Sequence, residues 1–358
     1  MVIVVGSYSK ETHAGIHLYR WDNDKNRFGN IGHITGIENP SFVSIDAVKG
    51  LIYAVTEKKE TEDSELHIYQ MTGLQEETNL IARIRFSGQG SCYISTDTTS
   101  KHAFITNYGS GSLTVIRLPQ GNEQGVVVQQ LEFKGSGPVA ERQEKPHLHA
   151  ALPSKDNRYL YCSDLGSDRL YRFSYRPEAT LPLPPEQSIY QQLPAGSGPR
   201  HLALSPNGDR LYLITELTGE IYMFNTGDFG TGWLQRVSLL QEGYSGKTEG
   251  ADIKVHPNGA YLYASNRGNA NEIVVFSIER ISGQLFFLQR IGAAGLSPRG
   301  LHICEQEGLL LVANEQSDNI SIFGLQSDGT LKFTKEELRV PCPTCITEWR
   351  EKQTLNII

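Results

Sequence analysis

Apolar positions along this chain come in short runs that alternate with polar ones, and turns rather than helical periodicity separate them. Leu170–Tyr175 and Ile221–Phe224 are examples. Period-two alternation places successive side chains on opposite faces of an extended strand. No stretch of ten or more residues carries an i, i+3, i+4, i+7 pattern closed by a cap, so the chain reads as all-β with minimal helix. Asn-Gly at 207–208 and 258–259 and Gly-Ser-Gly at 109–111 supply residues that accept the positive φ of tight turns. Glycine makes up 35 of the 358 residues, above the usual share of about 7%, which suits a chain with many such turns.

A longer period overlies the short one. An apolar strand, a Pro/Asp/Asn/Gly turn, a second strand rich in Leu, Tyr and Val, a polar residue with a short turn, and a third alternating strand recur six times. The copies begin at Asn39, Gly90, His147, Gly198, Glu249 and Ser297, roughly 50 residues apart. Residues 340–346 resemble the first strand of a seventh copy, and residues 3–21 resemble strands that would complete it. A sheet of about 50 residues cannot bury both faces alone, but sheets stacked radially can. The predicted fold is therefore all-β, a seven-bladed β-propeller whose last blade is closed by the N- and C-terminal strands, with residues 1–358 as one domain. Two β-sandwiches would not account for the recurrence. Residues 134–146 and 176–186, rich in Pro, Gly and charge, read as loops on a propeller face.

A net charge of −7 without a basic block argues against a nucleic-acid partner. No run approaches the roughly 18–20 apolar residues of a membrane span, and the first residues lack the basic and apolar regions of a secretory leader. Five cysteines, at 92, 162, 304, 342 and 345, suit a reducing compartment, so the expected location is cytoplasmic. No nucleophile elbow, P-loop or dinucleotide fingerprint is present. Cys342 and Cys345 have redox or zinc spacing but lack a second pair and fall in a predicted strand. His147 and His149 have the spacing of strand ligands that Glu216 could complete, yet no metal or other cofactor is expected.

Candidate chemistry lies where the repeats differ. The second strands end in Thr56-Glu57, Thr106-Asn107, Ser163-Asp164, Thr215-Glu216, Ser265-Asn266 and Ala313-Asn314, predicting a ring of polar side chains at one channel mouth. Its Asn and Asp members equally suit turn anchoring. Three first strands open on bulky polar groups: His147 and His149, Arg200 and His201, Arg299 and His302. Alternation would put His147 and His149 on one face and Arg200 and His201 on opposite faces. Arg267 follows Asn266, and with Arg200 and Arg299 it would make a cationic pocket for a small carboxylate or phosphate. Glu216 suits either acid/base work or the role of counter-ion to Arg200 or Arg267.

Residues 146–173 (PHLHAALPSKDNRYLYCSDLGSDRLYRF), 198–217 (GPRHLALSPNGDRLYLITEL), 261–276 (YLYASNRGNANEIVVF) and 297–303 (SPRGLHI) bring a family into view. Over essentially the whole chain the sequence resembles the lactonase-type seven-bladed propellers, among which are bacterial 6-phosphogluconolactonases, with a fungal carboxymuconate-lactonizing relative. The resemblance implies an active site in the central channel. It carries a His, Arg, Glu and Arg set onto His149, Arg200, Glu216 and Arg267, with His147 an open alternative to His149. The implied activity is hydrolysis of 6-phosphoglucono-1,5-lactone to 6-phosphogluconate in the pentose phosphate route of carbohydrate metabolism, without a covalent nucleophile. His149 or Glu216 would activate water and Arg200 or Arg267 would face the oxyanion. His147, His201, Asn266 and Arg299 would hold the substrate, a small anionic sugar lactone or carboxylate. The alternatives are a muconate-type cycloisomerase and a non-catalytic interaction propeller. Against the last, the only Trp-Asp pair, Trp21-Asp22, is not repeated.

Overall fold

The computed structural model describes residues 1–10, 12–58, 63–71 and 78–350. Its strands form seven four-stranded antiparallel sheets among the described residues. Blades 1 to 6 are consecutive: residues 40–86, 91–132, 148–192, 199–238, 250–292 and 298–339. Blade 7 runs outward from Pro343–Trp349 through Val2–Ser7 and Ile16–Asp22 to Arg27–Ile34. The innermost strands pack side by side around a channel, the last against the first. The ring is therefore a seven-bladed β-propeller closed by both terminal strands. Helix is confined, among the described residues, to two 3₁₀ turns, Pro185–Gln187 and Glu315–Ser317.

Burial explains why Val2–Ser7 is an unbroken apolar run rather than an alternating one. Val2 and Val4 join the cluster shared with blade 1, whereas Ile3 and Val5 join the cluster shared with blade 6. Every sheet between two neighbours is buried on both faces in this way, and each fully buried aliphatic side chain contributes roughly 1.5–3 kcal/mol. The closing strand begins at Pro343, later than the segment 340–346 expected from sequence. Val340 instead lies in the connection and donates its N–H to the Asp318 carbonyl. Gly208, Gly259 and Gly111 do take the positive φ their turns require (77°, 75° and 61°).

Two regularities shape the channel mouth. Each innermost strand is irregular at its second residue, with extra residues at Ser41, Cys92, His149 and Arg299 and equivalent irregularities at 200–201, 251–252 and 344. A bulge breaks alternation and re-aims the side chain it carries. The expectation that His147 and His149 share a face fails for this reason. The second regularity is a backbone bond: Tyr8, Glu57, Tyr108, Leu165, Glu216, Arg267 and Glu315 each donate an N–H to the residue preceding an innermost strand, at 2.7–3.0 Å. These seven are therefore equivalent. The ring expected from sequence was out of register by one in part, because Thr56 and Thr215, not Glu57 and Glu216, match Asn107, Asp164, Asn266 and Asn314.

The seam between blades 7 and 1 leaves no room at Gly6, where a Cβ would meet the Pro40 carbonyl at 2.5 Å and Cys345 Sγ at 2.9 Å. Gly6→Ala is expected to cost about 1–3 kcal/mol in urea unfolding. Gly29→Ala, on an outer strand with nothing within 4 Å, should leave the midpoint unchanged or slightly raised. Equal effects of the two substitutions would contradict this packing.

Candidate active site

A cavity of about 360 Å³ opens at the end of the channel where the innermost strands begin. The bulge positions contribute Cys92, His149, Arg200 and Arg299, and the positions after the second strands contribute Tyr8, Glu57, Tyr108, Glu216 and Arg267. Arg142 and Glu249 enter from the connections leading into blades 3 and 5.

Glu216 is the hub. Arg200, almost wholly buried, donates Nε to its Oε2 at 2.8 Å and Nη1 to the Ala251 carbonyl at 2.6 Å. Arg142 donates to its other oxygen. Arg267 Nη2 lies 3.0 Å from Oε2 but is not aligned for a hydrogen bond, and this buried nitrogen finds no other acceptor among the described residues. Burial alone would raise the Glu216 carboxyl, yet the surrounding charges, Arg267 and Arg200 foremost, hold it well below the usual carboxylate range. Burial and the neighbouring Arg267 push Arg200 down to about 10. Across the cavity, Arg299 donates Nη2 to the Tyr8 hydroxyl at 2.7 Å, and Tyr8 donates to Glu57 at 2.8 Å.

His149 is buried at the cavity wall. Its only hydrogen-bonding neighbour among the described residues is Cys92, whose Sγ lies 3.9 Å from Nδ1 and 3.5 Å from the His149 carbonyl. Burial, followed by the charges of Arg200 and His201, pushes the imidazole well below 6.5, so it is neutral at pH 7. Beneath it lies a floor. His201 bonds Asp252 through Nδ1 at 2.9 Å and makes edge-on contacts with Tyr93 and Phe42, its ring centroid 5.3 Å from that of His149. Burial pushes His201 down to about 3. A second cavity of about 450 Å³, lined in part by Lys155, Lys254 and His302, lies toward the opposite mouth.

The structure thus brings together His149, Arg200, Glu216, Arg267 and Arg299, and leaves out the other three residues expected at the site. His147 stacks on Tyr108 and bonds the Tyr108 carbonyl and Glu144 outside the cavity. His201 belongs to the floor. Asn266 accepts from Thr248 Oγ1 and the Glu249 N–H, anchoring a turn. His147 and His149 diverge, so with Glu216 they do not form a metal site. Among the described residues, the one group of three metal-ligating side chains in mutual reach is His302, Cys304 and Glu348 at the opposite mouth.

Sequence reasoning gave no site role to Tyr8, Glu57, Tyr108, Cys92, Glu249 and Arg142, although it placed Glu57 in the polar ring at the channel mouth. The first three occupy the position shared with Glu216 and Arg267, and correct register would have found them. Thr-Glu and Thr-Asn endings look alike in sequence, because Thr56 and Thr215 anchor the next turn with a hydroxyl where other blades use Asn or Asp. Arg142 carries no periodic signal. It is placed by its neighbour Gln143, which is buried and donates to the Leu165 carbonyl and Asp168.

Comparison with known proteins agrees with this architecture. The family model "Lactonase, 7-bladed beta-propeller" matches residues 2–348. The chain is 28% identical over 347 residues to a 6-phosphogluconolactonase of Bacillus subtilis, covering 96% of each chain. It is 29% identical to a 6-phosphogluconolactonase of Formosa agariphila, over 94% of this chain and 96% of that one. The solved structure of a periplasmic gluconolactonase from Pseudomonas aeruginosa superposes with a TM-score of 0.88 at 27% identity, covering 97% of this chain and 98% of the other. The chain belongs to the seven-bladed lactonase family.

The low Glu216 carboxyl has a stability consequence. A group depressed in the folded state contributes stability above its unfolded pKa and loses it as pH falls through the folded value. Glu216→Gln, which leaves Arg200 buried without its counter-charge, is expected to lose about 3–5 kcal/mol at pH 7. Its stability should also fall less steeply than that of the wild type below about pH 4.5. Denaturant titrations of both proteins across pH 3–7 check this, and parallel curves would contradict it.

Proposed function

We propose that this lactonase-family propeller hydrolyses 6-phosphoglucono-1,5-lactone to 6-phosphogluconate in the cavity around Glu216. The observation that carries this reading is a neutral, buried imidazole lining the same cavity as a guanidinium whose buried Nη2 has no aligned hydrogen-bond acceptor among the described residues. A lactone needs a base for water and a donor for the oxygen that becomes negative, and His149 with Arg267 supplies both. The cavity volume also falls within the range of small-molecule sites.

The tautomer follows from Cys92. Burial pushes its thiol up to about 12, so it stays S–H and turns toward the backbone carbonyls of Leu148 and His149. The sulfur lone pair then faces His149 Nδ1–H, leaving Nε2 as an unprotonated acceptor. Water held by Nε2 attacks the lactone carbonyl while Nε2 takes its proton. The carbonyl oxygen becomes an oxyanion against Arg267, where one such donor is often worth about 3 kcal/mol. Collapse of the tetrahedral species breaks the ring C–O bond, and the imidazolium returns its proton to the departing alkoxide. Glu216 is too firmly held by arginines to accept that proton, and it acts by positioning Arg200 and Arg267. Arg299 and the more exposed Arg142 would take the phosphate. A phosphorylated substrate fits a cytoplasmic setting. No helix among the described residues is long and apolar enough to cross a membrane.

The test is loss of lactone above the spontaneous rate. His149→Ala is expected to lower kcat about 10²–10⁴-fold and Arg267→Ala about 10²-fold. Arg299→Ala should act mainly on KM and narrow the preference for the phosphorylated lactone over glucono-1,5-lactone. Equal kcat/KM for the two lactones in the wild type would remove the phosphate from this reading. Strong inhibition by muconates but not by 6-phosphogluconate would favour a cycloisomerase.

The pH profile adds a signed expectation. The free protein should lose kcat/KM only well below pH 6.5, where His149 takes up its proton. An anion among the arginines favours the imidazolium, so the acid limb of kcat should lie at higher pH than that of kcat/KM. Coincident limbs at or above 6.5 would contradict His149 as the base.

A further inference from the structure

The opposite mouth of the channel holds a cluster unrelated to the lactone cavity. His302 and Cys304 stand two residues apart on one face of the innermost strand Pro298–Cys304 of blade 6. Glu348 stands on the closing strand Pro343–Trp349 of blade 7. These strands belong to different sheets that pack together at the seam. One ligand atom from each of the three side chains lies within 4.8 Å of the other two.

An ordinary ion pair does not account for this arrangement. His302 Nε2 is 3.3 Å from Glu348 Oε2, yet it is misaligned for a hydrogen bond and is buried without any other partner among the described residues. An orphaned buried nitrogen calls for an explanation, and a missing ion is a standard one. Cys304 is fully buried, and its sulfur enters no hydrogen bond among the described residues. The local charge is suited to a cation. Arg350 binds both Glu307 and Glu348, offsetting one of two carboxylates. With Cys304 as thiolate, and with the N-terminal ammonium that also acts on it, the group carries a net charge of −1.

We propose that His302, Cys304 and Glu348 form a Zn²⁺ site that clasps blade 6 to the strand closing the ring. Imidazole, thiolate and carboxylate are all donors that the borderline Zn²⁺ ion accepts, and the fourth tetrahedral position would remain for water from the lower cavity, which His302 lines. Binding exchanges the Cys304 S–H bond for a sulfur–zinc bond and releases the proton to solvent, with no change of oxidation state. The site lies beyond the floor formed by His201, Asp252, Tyr93 and Phe42, so it does not depend on the proposed hydrolysis.

The test uses the full chain, stripped with chelator and titrated with Co²⁺. The expected result is one equivalent bound, with tetrahedral visible bands and a near-ultraviolet sulfur-to-cobalt band, all displaced by Zn²⁺. Cys304→Ser should abolish the sulfur band, and His302→Ala should weaken binding about tenfold or more. Zn²⁺ should raise the melting temperature of the wild type but not of His302→Ala, whose fold is checked by circular dichroism before the titration. Absence of the sulfur band in the wild type overturns the proposal. So does a band that survives in Cys304→Ser or disappears in Cys342→Ser.

Discussion

A carboxylate taken out of water must be surrounded by positive charge, and at Glu216 that requirement organises the whole channel mouth. Its partners come from three places: Arg200 on the same blade, Arg267 on the next, and Arg142 on the connection into blade 3. Arg267 and Arg142 reach Glu216 only when neighbouring blades are stacked in register. Burial, followed by the charges of Arg200 and His201, depresses His149, so Arg200 belongs both to the ion cluster that makes the cavity anion-binding and to the surroundings that keep its imidazole neutral.

The fold supplies this cluster through a repeated device. Each innermost strand swells at its second residue, and each second strand hands its next residue to the mouth through the same backbone hydrogen bond. Seven blades thus offer two rings of variable positions on a constant frame. At the first ring the side chains range from Ala251 and Ser41 to His149 and Arg200, and those that line the cavity are Cys92, His149, Arg200 and Arg299. One residue further along the innermost strands, Phe42, Tyr93, His201 and Asp252 close the channel. The cavity around Glu216 and the lower cavity are consequently separate chambers.

Much of the architecture was legible in the sequence because burial on both faces leaves a strong imprint. The Val2–Val5 run, the Asn-Gly turns and the six homologous starts led to the propeller and to its closure by both termini. Arg200, Glu216 and Arg267 were legible as departures from a repeat. What escaped was local. A bulge is one extra residue and leaves no hydropathy signal, so His147 and His149 could not be told apart and their faces were misassigned. Thr56 and Thr215 mimic the polar residue that anchors turns elsewhere, which shifted Glu57 and Glu216 out of line with Tyr108 and Tyr8. Arg142 sits on an aperiodic connection held by the buried Gln143, and tertiary contact alone brings it to the site.

The most direct test of the account is a crystal structure of the protein with 6-phosphogluconate bound. The product is expected in the cavity around Glu216, with one anionic end on Arg267 and the other toward Arg299 and Arg142. Its carboxyl carbon should lie within one water of His149 Nε2. Product bound in the lower chamber, or bound at the mouth without contacting any of these arginines, would contradict it.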